Sequence, residues 1–367
     1  MRPLLHPTLV NGRSGDPALY IETLFEKRAI LFDLGDISTL PPRKVHRLDH
    51  VFVSHAHIDH FIGFDRLLRI LAGREKKVAL YGPRGFIDHV HHKLQAYRWN
   101  LADRYASDLV FVVTEIVSPA EGRVAQFRLK NAFAVEPTGT VPIVDNVICG
   151  QPAFRVSAVI LEHRTPCLGF AVEEVAHVNV WKSCLADLGL PVGPWLRELK
   201  QAVIDRRPTH HVLQVPAGQG FLHAREMPLA ALSGAVTVTP GQKIAYVTDL
   251  ADTAENRAAV ISLARDADLL FIEAAFAQAD AGLAAERSHL TTAAAGTIAR
   301  DAKVRRVEPF HFSPRYTGQE EKMLNEVNAA FAGKCPDGVG GAERRRSDGI
   351  SSHRTHSQPQ RCVIEGS

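Results

Sequence analysis

Apolar positions along this chain fall into short runs that stop at abrupt polar clusters. Leu19-Tyr20-Ile21 and Ala29-Ile30-Leu31-Phe32 flank a polar turn around Glu26-Lys27-Arg28, which predicts a hairpin closing at Asp33-Leu34-Gly35-Asp36. Val51-Phe52-Val53 predicts a buried strand. The apolar spacing of Phe64–Ala72 predicts a helix, Val78-Ala79-Leu80-Tyr81 a strand stopped by Gly82-Pro83, and residues 86–100 a second helix. Strand-rich segments follow at Leu109–Val113, Arg123–Arg128 and Phe154–Leu161. From residue 244 the pattern alternates cleanly. Ile244-Ala245-Tyr246-Val247 reads as a strand, Ala254–Arg265 as a helix, Leu269-Leu270-Phe271-Ile272 as a strand. A helix through Ala302, capped by Thr291 or Thr292, and a strand near Val304–Phe310 complete the alternation.

Two stretches break the pattern. In residues 174–215, Leu188-Gly189-Leu190-Pro191-Val192-Gly193-Pro194 interrupts any regular element, and Trp195–Asp205 reads as a short basic helix. This predicts an arm projecting from the core at about 174–215; a surface loop of no special role is the plain alternative. Residues 334–367 are rich in Gly, Ser, Arg and Gln and poor in large apolar residues, which predicts a disordered tail behind a domain of residues 1–333. The arginines of that tail are read as solvated, with RNA contact as the alternative.

Composition narrows the function classes. The chain has 367 residues, 46% of them apolar, enough for a sizeable core, and a net charge of only +3, so any nucleic-acid surface must be local. Five widely spaced cysteines with no CxxC pair favour a reducing, cytoplasmic compartment over a disulfide framework. The amino terminus lacks the apolar core of a signal peptide, and no apolar run is long enough to span a bilayer.

The chemistry concentrates where the runs end. Ser54-His55-Ala56-His57-Ile58-Asp59-His60 places three histidines and an aspartate within six residues, directly after a buried strand. Imidazole nitrogens and carboxylate oxygens suit zinc and similar divalent metals. A loop leaving the strand can turn His55 and His57 toward one point and Asp59 and His60 toward a second. Two metals about 3.5–4 Å apart are the arrangement expected of phosphoester hydrolysis. A solvated His-rich turn is the bland alternative. His163 closes another apolar strand and is a further candidate ligand. Asp33, at the end of a buried run, reads as a partner that orients a ligand. His89, His91 and His92 read as solvated helix-face residues. The acidic and histidine candidates all lie at strand C-terminal ends, where open α/β sheets place their sites.

The motif His55-Ala56-His57-Ile58-Asp59-His60 resembles the HxHxDH signature of the metallo-β-lactamase fold. Further landmarks are similar to those of the ribonuclease Z family, which matures tRNA 3′ ends. They are His163–Phe170, Thr248-Asp249, Ile272–Phe276, Ser288-His289-Leu290-Thr291 and His311-Phe312-Ser313-Pro314-Arg315-Tyr316. The Gly193-Pro194 insertion looks like that family's substrate-binding arm. The resemblance covers about residues 17–331. It departs from the family pattern at the amino-terminal Gly-Thr loop, at Val247-Thr248-Asp249-Leu250, at Ile272-Glu273-Ala274-Ala275 and after His60, without removing a ligand position.

The resemblance implies an α/β, αββα sandwich, usually a homodimer, with two Zn²⁺ per chain or another divalent metal such as Mn²⁺. His55, His57 and His163 would hold one ion, Asp59, His60 and His311 the other, and Asp249 would bridge them. Two cations would lower the pKa of a shared water and make hydroxide available near neutral pH. Asp59 would orient that nucleophile, and His289, steadied by Glu273, would protonate the departing 3′ oxygen. Arg315, Lys200, Arg206 and Arg207 would bind phosphates of a precursor tRNA. A phosphodiesterase for a small substrate such as a cyclic nucleotide, and a non-catalytic RNA-binding paralogue, are the competing readings.

Overall fold

A computed structural model describes residues 4–24, 28–217 and 223–334. Two sheets face each other. The first has eight strands in chain order, β1 (Leu5–Leu9), β2 (Leu19–Thr23), β3 (Ala29–Phe32), β4 (Leu48–Phe52), β5 (Lys76–Pro83), β6 (Leu109–Ser118), β7 (Glu121–Arg128) and β8 (Glu136–Pro142). The second contains β9 (Val147–Gly150), β10 (Phe154–Glu162) and β11 (Pro166–Glu174). After an excursion of the chain built on β12 (His177–Val180), β13 (Val212–Ala217), β14 (His223–Pro228) and β15 (Val236–Thr239), it is completed by β16 (Lys243–Val247), β17 (Leu269–Glu273) and β18 (Val307–Phe310). The spatial order of this sheet is β18-β17-β16-β11-β10-β9. Strands β3 to β6 run parallel to one another, as do β16 to β18.

The strand sequences explain the layering. In β3 and β17 every residue is buried, the pattern of parallel strands covered on both faces. Their inner faces share an aromatic seam, in which Phe52 stacks on Tyr81 with centroids 4.6 Å apart and on Phe32 at 5.2 Å. Phe32 in turn reaches Phe170 and Tyr246 of the second sheet at 5.5 and 5.7 Å. Helices cover the outer faces. Phe64–Leu71 buries Phe64, Leu67, Leu68 and Leu71, positions i, i+3, i+4 and i+7 of one stripe. Thr291, the earlier of the two candidate caps, accepts from Ala294 N at 3.2 Å and starts the helix Thr292–Asp301. Three separate apolar clusters, one between the sheets and one under each helical layer, make an αββα sandwich.

The excursion between β11 and β16 has an apolar cluster of its own, including Leu185, Leu190, Leu199, Ala202, Leu213, Val215, Leu232 and Ala235. Its outgoing strand β12 pairs with β15, so the excursion closes only after Thr239. The sequence reading ends it near residue 215, because Val236-Thr237-Val238-Thr239 carries the alternation of an ordinary strand and nothing marking it as the partner of β12. The basic helix lies at Leu196–Ile204. The expected disordered tail lies, from residue 335 on, outside the described residues. Among the described residues no helix is long and apolar enough to cross a membrane.

Close backbone packing presents the site. Gly63 N donates to Leu34 O at 2.8 Å and Leu34 N to His60 O at 2.9 Å, so the loop after β3 is laced to the turn that carries the histidines. A Cβ at Gly63 would lie 2.1 Å from the Gly35 carbonyl oxygen. Gly63→Ala should therefore destabilise the metal-free protein by about 1–3 kcal/mol in denaturant unfolding. Gly150→Ala, whose Cβ meets nothing within 4 Å, should stay within about 0.5 kcal/mol of the parent.

Candidate metal centre

Each candidate side chain leaves the C-terminal end of a strand or the loop beside it: Asp33 after β3, His55 to His60 after β4, His163 after β10, Asp249 after β16, Glu273 at the end of β17 and His311 after β18. Parallel strands bring these ends to one edge. Sharp turns then aim the side chains inward. Asp33, Asp249 and His311 adopt φ of 56°, 49° and 59°, a left-handed backbone that asparagine, aspartate and histidine tolerate better than most residues.

Asp249 is the point of convergence. Its Oδ2 lies 3.4 Å from His55 Nε2, 3.3 Å from His60 Nε2 and 3.5 Å from His163 Nε2, and its Oδ1 lies 2.9 Å from His311 Nδ1. Asp59 Oδ2 sits 3.4 Å from His60 Nε2 and 3.5 Å from His311 Nε2. The His57 ring stands 4.3 Å from that of His55 and 5.4 Å from that of His163. The candidate ligand atoms fall into three overlapping groups, His55, His57, His163 and Asp249, then Asp59, His60 and His311, and a third of Asp249, Glu273, His289 and His311, each within 4.8 Å. The first two of these groups hold the seven expected residues, and Asp249 and His311 each belong to two groups.

The residues fit divalent cations on chemical grounds. His55 Nε2 and His60 Nε2 are buried and have no hydrogen-bond partner. A polar nitrogen left so costs free energy unless something occupies its lone pair. The opposite ring nitrogens are committed: His60 Nδ1 to Asp33 Oδ2 at 2.8 Å, His55 Nδ1 to Ser54 Oγ at 3.0 Å, and His163 Nδ1 to Ser288 O at 2.8 Å. Such outer partners fix the tautomer that presents a bare Nε2 to a metal.

Electrostatics divides the cluster. Burial pushes His55, His57 and His163 below the usual imidazole range, toward the neutral form a metal needs. Burial also opposes a charge on His60 and His311, but Asp249 beside both, with Asp33 beside His60, holds their protons well above that range. Burial likewise works against ionisation of Asp59 and Asp249. The His311 and His60 contacts overcome it and keep both carboxyls below the usual range.

A second constellation adjoins the first. Glu273 is fully buried; its Oε1 accepts from Leu250 N at 3.0 Å and Leu290 N at 3.1 Å, and its Oε2 from His289 Nδ1 at 2.8 Å. Burial opposes its ionisation, but the neighbouring His289 charge brings its carboxyl down to about 2. For His289 burial again disfavours the charge, and Glu273 more than offsets it, raising the imidazole. His289 Nδ1 is thereby occupied, and Nε2 is its free position for proton transfer.

His57, Asp59, His163, Asp249, His289 and His311 line one open cleft. Of the expected phosphate contacts, Arg315 lies beside it, its guanidinium 5.9 Å from the Phe276 ring centre and 3.8 Å from Asp280. Lys200, Arg206 and Arg207 stay on the arm, apart from the cleft. Lys200 borders an arm cavity with Lys182 and Arg197, and Arg207 faces Asp205 at 3.6 Å. His89 and His92 are exposed and His91 half-buried, none in a ligand group. Sequence reasoning missed Arg164, Arg287 and the segment Ser14–Pro17, which line the cleft, and Tyr246, whose hydroxyl donates to Asp33 at 2.8 Å. Tyr246 lies in an apolar strand run, where its hydroxyl leaves no periodic signal.

A cation entering beside His60 and His311 must displace their protons. Lower pH strengthens that competition and weakens binding; pH above their raised values removes it. Calorimetric zinc titration of the stripped protein, in buffers of different ionisation enthalpy, should show proton release and an affinity that rises from about pH 6 to about pH 8. A pH-independent affinity would contradict this charge distribution.

Comparison with known proteins agrees with the geometry. A family profile described as "Beta-lactamase superfamily domain" matches residues 31–205 and 209–312. Ribonuclease Z of Deinococcus radiodurans is 33% identical over 309 residues, spanning 82% of this chain and 88% of that protein. Ribonuclease Z of Thermobifida fusca is 30% identical over 322 residues, spanning 84% and 83%. Among solved structures, the metallo-beta-lactamase fold protein YhfI from Bacillus subtilis shares the fold, with a TM-score of 0.50 at 15% identity over 90% of this chain and 95% of that one. Strand ends, ligand geometry and relatives converge, and the chain belongs to the ribonuclease Z family of the beta-lactamase superfamily.

Proposed function

We propose that this protein is a zinc-dependent endoribonuclease that removes the 3′ trailer of precursor tRNA. The observation that carries the reading is the pairing of His289 with Glu273 at 2.8 Å, beside seven candidate metal-ligating side chains, of which His57, Asp59, His163, Asp249 and His311 line one cleft with His289. Two divalent cations held by His55, His57, His163, Asp249, Asp59, His60 and His311 would supply the Lewis acidity that makes hydroxide available near neutral pH. Asp59, ionised between His60 and His311, orients the attacking water and accepts its proton. His289, protonated and fixed by Glu273, donates from Nε2 to the departing 3′ oxygen. The products are a 3′-hydroxyl on the tRNA body and a 5′-phosphate on the trailer. Arg164 and Arg287 at the cleft wall, with Arg315 beside it, would meet phosphates of the substrate.

The arm supplies the substrate side of the reading. It exposes Lys200, Arg206 and Arg207 on a unit with its own apolar cluster. Such a unit suits recognition of tRNA by shape and phosphate contacts away from the chemistry.

Two experiments test the reading. His289→Ala should lower turnover on a 3′-extended precursor by about 10²–10⁴-fold with metal content unchanged, whereas His60→Ala should lose metal as well. Loss of metal from His289→Ala would make it a ligand instead. Replacing residues 181–235 with a short Gly-Ser link, which leaves the β12–β15 pair to close, should abolish precursor cleavage and spare hydrolysis of bis(4-nitrophenyl) phosphate. Equal precursor cleavage by the armless and intact proteins at moderate salt would reject the RNA arm and favour a small phosphodiester as substrate.

A further inference from the structure

Both legs of the arm meet the sandwich at one buried carboxylate. Strand β11 ends at Glu174 and β16 begins at Lys243, so the chain leaves and returns at neighbouring positions of one sheet. The Glu174 side chain is buried. Its Oε2 accepts from His177 Nε2, on the outgoing leg, and from Gln242 N, on the return leg, each at 3.2 Å. Its Oε1 accepts from Leu5 N at 3.1 Å and from Leu4 N. The backbone is equally tight, since Glu174 N donates to Gln242 O at 2.9 Å and a Cβ on Gly241 would lie 2.3 Å from Glu174 O.

The third element held there leads to the catalytic cleft. Leu5 opens β1, with Leu4 immediately before it, and the chain after β1 forms the loop whose residues Ser14, Gly15, Asp16 and Pro17 line the cleft. Asn11 Nδ2 braces that loop through Asp16 O at 2.8 Å and Asp36 O at 2.7 Å, and Phe312 N donates to Arg13 O at 2.9 Å, next to His311. A buried carboxylate is a costly way to finish a strand unless its directional bonds are used. Here its hydrogen bonds go to both arm legs and to the start of this strand.

We propose that Glu174 is a positioning residue that sets the arm's orientation relative to the catalytic cleft, by clasping both arm legs and the strand that leads to the cleft's rim. This rests on the reading of the arm as the RNA-gripping element. Glu174 touches no reacting atom, and its effect runs through where the arm holds the RNA body.

The test uses the full, metal-loaded chain and two substrates, a 3′-extended precursor tRNA and bis(4-nitrophenyl) phosphate. Glu174→Gln turns one oxygen that accepts N–H bonds into an amide nitrogen that cannot. It should raise KM for the precursor by about fivefold or more, with kcat changed by less than about twofold and the small substrate unaffected. His177→Ala frees the outgoing leg alone and should shift the precursor KM in the same direction by a smaller factor. Equal losses on both substrates, or a precursor KM unchanged in both variants, would overturn the proposal. If Glu174→Gln does not fold, His177→Ala decides, and an unchanged precursor KM overturns it. The RNA-arm reading fails separately, when the armless protein cuts precursor as well as the intact one. An armless protein that is inactive on precursor, with Glu174→Gln and His177→Ala both silent, rejects the positioning role alone.

Discussion

Asp33 is fully buried between the sheets, and its carboxylate accepts from Ser54 N at 2.6 Å, Ser54 Oγ at 2.9 Å, His60 Nδ1 at 2.8 Å and Tyr246 OH at 2.8 Å. A carboxyl so far from water is tolerable only when its lone pairs are filled. Three of the donors come from the first sheet side and one, Tyr246, from the second. The network is therefore complete only when the two sheets are packed. Burial, then Asp33 itself, push the Tyr246 phenol far up, so it stays a donor over the whole physiological range. With His60 Nδ1 held at Asp33, the ring has one orientation, and its Nε2 is turned toward Asp249. Packing of the two sheets and orientation of this candidate ligand thus depend on the same carboxylate.

The same economy appears around the rest of the cluster. Left-handed backbone at Asp33, Asp249 and His311 and unpaired nitrogens on His55 and His60 are each unfavourable alone. They persist because the surrounding backbone leaves no alternative. The Leu34–His60 and Gly63–Leu34 hydrogen bonds lace two strand-end loops together, and the Glu273 carboxylate fastens the loops at Leu250 and Leu290 to each other. Such strain is what a preorganised site stores, and a cation filling the bare nitrogens would relieve the part of it due to missing partners.

Much of this was legible in the sequence, for a physical reason. A buried strand that ends in His-x-His-x-Asp-His cannot hide that polarity in a core, so the strand end itself points to a site. Strands β16 to β18 and their helices followed from periodicity, and the acidic or histidine residue closing each strand marked the edge where they meet. Other features left no local trace. Ser54 and Tyr246 act through long-range contacts, Tyr246 with a partner 213 positions away. The cleft-lining segment Ser14–Pro17 carries no apolar period of its own and gains its place only once β1 is paired with β2. The arm's return strand β15 is meaningful only beside β12. What sequence reading lacked in each case was the partner across the fold, not the character of the residue.

The arm raises a question of where affinity should reside. A net charge of +3 on 367 residues gives little general attraction for a polyanion. Concentrating cations in the cleft would not remedy this cheaply, because arginines crowded against His57, His163 and His311 would raise the cost of binding divalent metal there. Arg164 is held at the cleft wall by Ser288 Oγ at 3.2 Å and by Glu286 O, and Arg315 faces Asp280, which limits their reach toward the ligands. Basic side chains on a separate unit escape that conflict. Leu199 and Ala202 bury one face of the helix Leu196–Ile204 in the arm's own cluster, while Lys200 on the same helix stays exposed. A unit that packs its own core keeps its shape without drawing on the sandwich, and needs from it only a fixed point of attachment. The clasp at Glu174 supplies that attachment with a handful of directional bonds, so affinity can be tuned on the arm while the ligand geometry stays untouched.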